Sequence, residues 1–236
     1  MCGRIIQIED EDEYAEAMEF KLEQTIVPEK YRKSFNAAPH TLRIVFRLVA
    51  GKLVAEALPW RYLSHWAKER NLRPAINARR DKLLTPYYRS MMKNGRVIVP
   101  ADGWYEWTGP KGDRQPWLIQ AKDKKPLFFA ALTNQGEDMA INDDTGLLIV
   151  TDDSAGGMVD VHDRRPVALT AEDAMTWLDT SFSYKQAEEL IRSAALGPEY
   201  FQWSEVSKDV GGHAHDGPEL LEPTGQIVPG EVATES

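Results

Sequence analysis

Short runs of apolar residues, separated by polar turns, set the predicted architecture of this chain. Runs of this kind predict β-strands, because successive side chains of a strand point to opposite faces of a sheet. Tyr14, Met18 and Leu22 instead recur every four residues among acidic positions, which predicts an amphipathic helix. The strand-like runs cover residues 3–8, 41–49, 53–58, 96–100, 117–121, 127–132, 147–151 and 203–206.

Turn and capping residues divide these runs. Gly51 separates two of them and predicts a hairpin, and the sequence FNAAPH at 35–40 predicts a turn. Capping and spacing signals predict three more helices, through Tyr88 and Met92, from Thr170 to Leu178, and from Ser183 onward. Short strands with interspersed helices indicate an α+β fold, with a mainly antiparallel β core and flanking helices.

A chain of 236 residues with 42% hydrophobic composition suits one domain with a sizeable core. We expect this domain to span residues 1–224, followed by a flexible acidic tail over 225–236. The single cysteine excludes an intramolecular disulfide and favours a reducing compartment. Since no apolar run resembles a signal peptide or a membrane span, we expect a cytoplasmic monomer without membrane contact.

The formal net charge of −9 argues by itself against a nucleic-acid partner. The charge is uneven, however, because acidic residues concentrate in 9–23 and in the tail. Between Arg70 and Arg96 the chain carries eight basic residues against Asp81 alone. A local basic surface on an acidic protein is therefore one hypothesis.

Cys2 is the only cysteine and the second residue of the chain. If Met1 is removed, as is usual before a small residue, Cys2 carries a free α-amine and a thiol on adjacent carbons. The reference pKa of the amine is roughly 7.7–8.0 and that of the thiol about 8.5, and positive charge such as Arg4 lowers the thiol pKa. This pair can condense with an aldehyde to a Schiff base and close to a thiazolidine. The alternative is that a single cysteine has no role.

Two further side chains have acid–base potential. Glu106 shares a predicted strand face with Trp104, and a carboxylate among aromatic rings has a raised pKa because it is desolvated. A solvated edge-strand glutamate is the alternative. His162 lies in a loop beside Asp160 and Asp163, whose carboxylates favour its charged form. A plain surface histidine is the alternative there.

Asn77 and Arg79 would project to the same side of a strand, and together they offer an amide and a phosphate-binding guanidinium. A capped turn with a surface arginine is the alternative. His213 and His215 form an isolated pair, and with one cysteine in the chain a zinc site has little support. Four tryptophans are candidates for stacking on bases, although we expect at least half in the core: Trp60, Trp66, Trp104 and Trp107.

Six motifs, taken in order, resemble the SOS response-associated peptidase (SRAP) family. They run from Cys2 to about Glu222 and close with GPELLEP. Together they are far more specific than any one motif. They are MCGR at the start, FNAAP at 35–39, PW at 59–60, INAR at 76–79, VPADGWYEW at 99–107 and VDVHDRRP at 159–166.

The resemblance implies a reaction and a set of residues. Cys2, exposed by removal of Met1, would link covalently to the ring-opened aldehyde of an abasic site in single-stranded DNA. Asn77 would orient the N-terminus, Glu106 would shuttle protons, and His162 would assist sugar ring opening and reversal of the crosslink. The residues implied to contact DNA are Arg4, Pro39, Trp66, Arg79 and Arg164. No cofactor and no metal ion are implied.

This sequence departs from the family after INAR, where Arg80-Asp81-Lys82 stands in place of small and acidic residues. No role is transferred to Asp81. His40 follows FNAAP where glycine is common, so it either touches the DNA channel or faces solvent. The leading hypothesis is an enzyme that crosslinks to abasic sites, with possible strand nicking by β-elimination. The alternatives are a thiol peptidase with an N-terminal nucleophile and a non-catalytic single-strand binding module.

Overall fold

Two β-sheets pack face to face in the computed structural model, which describes residues 2–136, 140–212 and 214–232. The first sheet is antiparallel throughout and brings the N-terminal strand into its interior. Its strands are β1 Ile5–Gln7, β3 Ser34–Ala37, β8 Gly103–Thr108, β9 Gln115–Ala121, β14 Phe201–Glu205 and β15 Val228–Pro229. Their order across the sheet is β15-β14-β9-β8-β1-β3.

The second sheet is larger and is mixed. Its strands are β2 Leu22–Ile26, β4 Leu42–Val49, β5 Lys52–Pro59, β6 Asn77–Arg79, β7 Arg96–Ala101, β10 Leu127–Thr133, β11 Leu147–Asp153, β12 Arg164–Pro166 and β13 Ala168–Leu169. The main path is β12-β11-β10-β7-β4-β5-β2, with β13 paired to β10 and β6 to β11. Only the β2–β5 and β6–β11 pairs are parallel among those described, so the predicted mainly antiparallel core is confirmed.

Helices cover the outer face of the larger sheet, and two of them begin at the predicted caps. Thr170 Oγ1 accepts a hydrogen bond from the amide of Asp173, and Ser183 forms a capping box with Gln186. The described helices are α1 Glu11–Ala17, α2 His65–Glu69, α3 Arg89–Asn94, α4 Ala171–Leu178 and α5 Tyr184–Ala194. None of them is long and apolar enough to cross a membrane.

Strand alternation divides the buried side chains between two cores. On β7, Val97 and Val99 point into the core between the sheets, whereas Ile98 points toward the helices. The same alternation runs along β10, where Phe129 faces the other sheet and Phe128 faces the helices. Because the larger sheet is buried on both faces, its strands read as continuous apolar runs.

The structure differs from the predictions in two local elements. The first helix does not continue to Leu22, because it ends at Ala17 and Glu19 adopts a left-handed conformation with φ of 57°. Leu22 begins β2 instead. The predicted turn at 35–40 is mostly strand β3, because that segment pairs with β1, and only the residues around His40 turn.

Part of the predicted tail takes regular structure. Val228 and Pro229 pair with Trp203 and Gln202, and the amide of Gly230 donates to the carbonyl of Phe201 at 2.8 Å. Residues 233–236 lie outside the described residues, as does His213. The flexibility of the tail stays a prediction.

Candidate active site at the N-terminus

Strand β1 leads Cys2 into the core between the sheets. The amide of Tyr105 donates to the carbonyl of Arg4 at 3.0 Å, and Ile5 pairs with Trp104. This antiparallel register carries the first residues alongside the end of β8, where Glu106 lies. In the full chain, where Met1 precedes it, Cys2 is buried.

Asn77 reaches Cys2 from the other sheet. Strand β6 runs parallel to β11 with Asn77 opposite Ile149, and the amide of Ile149 donates to the carbonyl of Ile76 at 3.1 Å. From this fixed position, Asn77 Nδ2 donates to the carbonyl oxygen of Cys2 at 2.9 Å. The contact joins residues 75 positions apart in the chain.

Glu106 is a buried carboxylic acid with a pKa near neutrality. It shares the inner face of β8 with Trp104, as the alternation predicted, and only 3% of its surface is exposed. Burial is the main cause that raises the pKa of Glu106 to about 7; the charge of the N-terminus opposes it, and the negative charge of Asp163 adds to it. Near neutral pH the group is therefore partly protonated and partly ionised, which suits both proton donation and proton acceptance.

His162 lies between a 3₁₀ turn at Gly156–Asp160 and strand β12. Its Nδ1 accepts a hydrogen bond from the amide of Arg164 at 3.0 Å, and Asp163 Oδ1 lies 2.8 Å from the same nitrogen. Because a backbone amide keeps its proton, Nδ1 is the acceptor, and in the neutral ring the proton is on Nε2. Nε2 lies 3.9 Å from Glu106 Oε2. Burial lowers the pKa of His162, which favours this neutral form.

The thiol of Cys2 is held in its protonated form. Burial raises its pKa well above the usual value, and the nearby Glu106 carboxylate raises it further. This outcome is opposite to the lowering expected from Arg4, because desolvation and the Glu106 charge outweigh the charge of the N-terminus and the backbone hydrogen bond from Arg4, both of which lower the pKa. The thiol therefore needs a base, and Glu106 is the adjacent one.

Arg4 separates two clefts lined with basic residues. Its guanidinium donates to the carbonyl of Asn36 at 3.3 Å, and it lines both cavities. The larger cleft, of about 810 Å³, is also lined by His40, by Lys30, Arg32, Arg43 and Arg61, and by the acidic Asp143 and Asp216. The other, of about 690 Å³, is lined by Trp107, Lys111, Arg114 and Lys208. We call these the large basic cleft and the small basic cleft.

These cationic residues are not those of the basic stretch from Arg70 to Arg96. In that stretch Arg96 is buried and donates to the carbonyls of Trp177, Asp179 and Phe182. Apart from the buried Arg96 and the half-buried Arg80, the basic residues of that stretch are exposed, so a local basic surface there stays a prediction. The lining residues are scattered along the sequence, and only the folded chain brings them together.

The remaining DNA-contact candidates differ in their exposure. Trp66 on α2 is 53% exposed, with the Arg70 guanidinium 4.4 Å from its ring centroid. Pro39 is half-buried in the turn before His40. The core takes Trp60 and Trp104, so the expectation that at least half of the four tryptophans are internal is confirmed.

Arg79 and Arg164 are both engaged by carboxylates. Arg79 is exposed and pairs with Asp81 through two hydrogen bonds. Arg164 is buried, and its guanidinium donates to the carbonyl of Thr151 at 2.7 Å and to Asp153 Oδ1 at 2.6 Å. The site thus joins Cys2, Asn77, Glu106 and His162, while Arg164 binds within the protein.

The sequence did not point to Asn36 and Asp216, whose hydrogen bonds hold the segment after β14 next to Arg4. Asn36 Nδ2 donates to the carbonyls of Val210 and Gly212, at 3.1 Å each, and Asp216 Oδ1 accepts from the amide of Asn36. No sequence signal links residues this far apart. Over the described ranges, no group of three or more His, Cys, Asp or Glu residues could hold a metal ion.

Comparisons with known proteins agree on one family. The family model described as SOS response associated peptidase (SRAP) matches residues 1–213. The chain is 32% identical to the abasic site processing protein YedK of Escherichia coli, over 94% of this chain and all of that protein. It is 26% identical to the abasic site processing protein HMCES of Pongo abelii, over 85% of this chain and 68% of that protein.

A solved structure supports the same assignment. The crystal structure of a phage-related protein from Bordetella bronchiseptica superposes with a TM-score of 0.73 at 34% identity, covering 88% of this chain and 95% of that one. The fold, the ordered motifs and the matched length agree. The chain therefore belongs to the SOS response associated peptidase (SRAP) family.

Proposed function

We propose that this protein processes abasic sites in single-stranded DNA by forming a covalent crosslink through Cys2 after removal of Met1. The observation that carries the proposal is the meeting of Cys2, Asn77, Glu106 and His162 from two sheets at one point. The names of the relatives YedK and HMCES, both abasic site processing proteins, support the same substrate class.

The chemistry follows from the two nucleophiles of Cys2. The neutral α-amine attacks the C1′ aldehyde of the opened sugar, and loss of water from the carbinolamine gives an imine. The sulfur then attacks the carbon of the imine in its protonated form, whose nitrogen keeps its proton, while the thiol proton passes to Glu106. The product is a five-membered thiazolidine, and the net reaction releases one water molecule.

Glu106 supplies and recovers the proton in this scheme. In its protonated form it donates to the departing hydroxyl of the carbinolamine, and the resulting carboxylate accepts the thiol proton before the ring closes. A pKa of about 7 allows both steps near neutral pH. His162, with its Nε2 directed at Glu106, assists the proton transfers that open the sugar ring.

Asn77 and the basic clefts position the reactants. Asn77 holds the Cys2 carbonyl, and this fixes the direction of the α-amine next to it. Cationic residues of the clefts attract the DNA backbone despite the net charge of −9. Arg4 and Arg79 are the proposed phosphate contacts, and Trp66 offers an exposed stacking surface.

Intact-protein mass spectrometry tests the proposal directly. The protein is incubated with a single-stranded oligonucleotide that carries one abasic site, beside an undamaged oligonucleotide of the same sequence. We expect a species equal to the protein without Met1 plus the oligonucleotide minus one water. Cys2→Ala should abolish it. Cys2→Ser, like Cys2→Ala, keeps the α-amine and loses the thiol, so each variant should leave only an imine adduct that requires borohydride trapping.

The same experiment separates the alternative functions. Retention of Met1 and no adduct with either oligonucleotide would overturn the crosslinking proposal and leave a binding module. Strand breaks at the abasic site without a stable adduct would instead indicate lyase chemistry through the imine. Cleavage of added peptides that depends on Cys2 would support a peptidase.

A further inference from the structure

Arg79 is already engaged by a carboxylate of its own chain. Its Nε lies 2.9 Å from Asp81 Oδ1, and its Nη2 lies 3.0 Å from Asp81 Oδ2. A guanidinium binds phosphate through the same parallel two-point geometry. Both side chains are exposed, and hydrogen bonding to Arg79 lowers the pKa of Asp81, so the carboxylate is charged near neutral pH. Asp81 therefore occupies the Nε–Nη2 edge of Arg79, one of the two edges through which a guanidinium binds a phosphate at two points.

The backbone that carries Asp81 is held in place on both sides. Asp81 lies in a 3₁₀ turn at Arg80–Lys82. Arg80 Nε lies 2.5 Å from Asp152 Oδ2, and its Nη1 lies 3.2 Å from Glu188 Oε1. Leu83, which follows the turn, is fully buried. With the turn fixed in this way, Arg79 has to rotate away from Asp81 before it can bind a phosphate through Nε and Nη2.

We propose that Asp81 is an intramolecular competitor of the DNA phosphate and limits the affinity of Arg79 for undamaged single strands. The inference rests on the proposed function, because it takes DNA as the ligand of Arg79. Its consequence is selectivity. Reversible binding stays weak everywhere along a strand, and long residence comes only where an aldehyde lets Cys2 form the covalent bond.

A local charge effect is the competing explanation, because Lys82 Nζ also lies near Asp81, 3.7 Å from Oδ2. Removing the carboxylate would free Lys82 as well as Arg79. A double-mutant cycle separates the two, since only the competitor mechanism requires Arg79. An exposed ion pair is worth roughly a two- to fivefold change in an equilibrium constant.

The test measures binding of an undamaged, fluorescein-labelled single-stranded oligonucleotide by anisotropy at about 100 mM NaCl. The proteins are the native chain, Asp81→Asn, Arg79→Ala and the double variant. We expect Asp81→Asn to tighten binding roughly two- to fivefold when Arg79 is present. We expect no gain in the Arg79→Ala background. Asp81→Glu, which keeps the carboxylate, should bind like the native chain.

Each other outcome overturns the inference. An equal gain in both backgrounds would assign the effect to local charge, and no gain with Arg79 present would remove Asp81 from DNA binding. Failure of all five proteins to bind would overturn the inference together with the DNA partner. A chain that binds undamaged strands but forms no adduct would overturn only the proposed reaction, and the cycle would still decide the role of Asp81.

Discussion

Glu106 concentrates the acid–base capacity of the site in one buried side chain. Burial raises its pKa to about 7 against the opposing charge of the N-terminus, and the Asp163 charge adds to the effect of burial. The same carboxylate helps keep the Cys2 thiol protonated. Ionisation of Glu106 and activation of the thiol are therefore linked events.

Replacing Glu106 by glutamine should slow adduct formation without preventing DNA binding. The amide keeps the shape of the side chain but cannot exchange a proton, and loss of a positioned acid–base group costs roughly 10²- to 10⁴-fold in rate. Single-turnover gel assays with an abasic oligonucleotide measure the rate, and anisotropy with undamaged DNA measures binding. Glu172→Gln, on the exposed first turn of α4, is the matched control and should react at the native rate. A native rate for Glu106→Gln would contradict the proposed proton transfer.

Glu106 should also make the stability of the protein fall with rising pH. Its pKa is raised from 4.5 to about 7 in the folded state, so between these values the folded protein binds more protons than the unfolded chain. The stabilising contribution is complete below the unfolded pKa and is lost as pH rises through the folded pKa. It amounts to about 3 kcal/mol.

Urea unfolding at pH values near 4.5 and 7.5 measures this effect. The native chain should lose about 3 kcal/mol more than Glu106→Gln over that interval, since the amide does not titrate. Parallel losses in the two proteins would mean that Glu106 keeps an ordinary pKa.

At the scale of elements, Arg164 joins two neighbouring strands. It lies on β12 and donates to Thr151 and Asp153 on β11, and its side chain is 11% exposed. The family resemblance implied a DNA contact for this residue. Its hydrogen bonds to Thr151 and Asp153 indicate that Arg164 also stabilises the pairing of β11 with β12.

Replacing Arg164 by alanine should therefore lower stability, by about 2–3 kcal/mol, because charged hydrogen bonds between β11 and β12 are lost. Urea unfolding at neutral pH measures the loss. Arg114→Ala is the informative comparison, since Arg114 is exposed in the small basic cleft. It should weaken DNA binding and leave stability unchanged. If Arg164→Ala unfolds like the native chain and only binding falls, Arg164 acts at the DNA.

The elements best predicted from sequence were those whose patterns are local. The hairpin across Gly51 and the helices capped by Thr170 and Ser183 are marked by turn and cap residues that adjoin these strands and helices in the sequence. Most of strand β3 was predicted as a turn. Its partner β1 lies some thirty positions earlier, and the sequence of residues 34–37 contains no signal of that pairing. Pairing at a distance, not local preference, decides such segments.

The same distinction between local and long-range signals applies to the candidate site. The burial of Glu106 could be predicted from strand alternation, and the roles of Asn77 and His162 entered through family motifs. The contact between Asn77 and Cys2 and the raised pKa of the thiol depend on how two sheets meet, which no local pattern encodes. The sequence did not predict the pairing of Asp81 with Arg79, because a departure from the family motif does not indicate which residue the new side chain contacts.

At the scale of the whole molecule, two basic clefts lie on a protein with net charge −9. Binding of undamaged single strands should therefore depend strongly on salt, because several phosphate contacts release counterions. We expect affinity to fall by at least tenfold between about 50 and 200 mM NaCl. Anisotropy titrations measure it, and an adduct already formed on abasic DNA serves as the control, since a covalent bond should survive about 1 M salt. Salt-insensitive binding would argue against phosphate recognition by the clefts.

The position of β1 inside its sheet has a mechanical consequence. This strand is bonded to β3 on one side and β8 on the other, and Cys2 lies just before it. A pull on DNA attached at Cys2 would load the bonds on both flanks together, whereas a pull on the carboxyl end would meet the two-residue edge strand β15, which can peel away in sequence. A motor moving along the strand would thus meet a firmly tethered obstacle. An unfolding protease that begins on the carboxyl side would meet less mechanical resistance, because it would pull on β15 first.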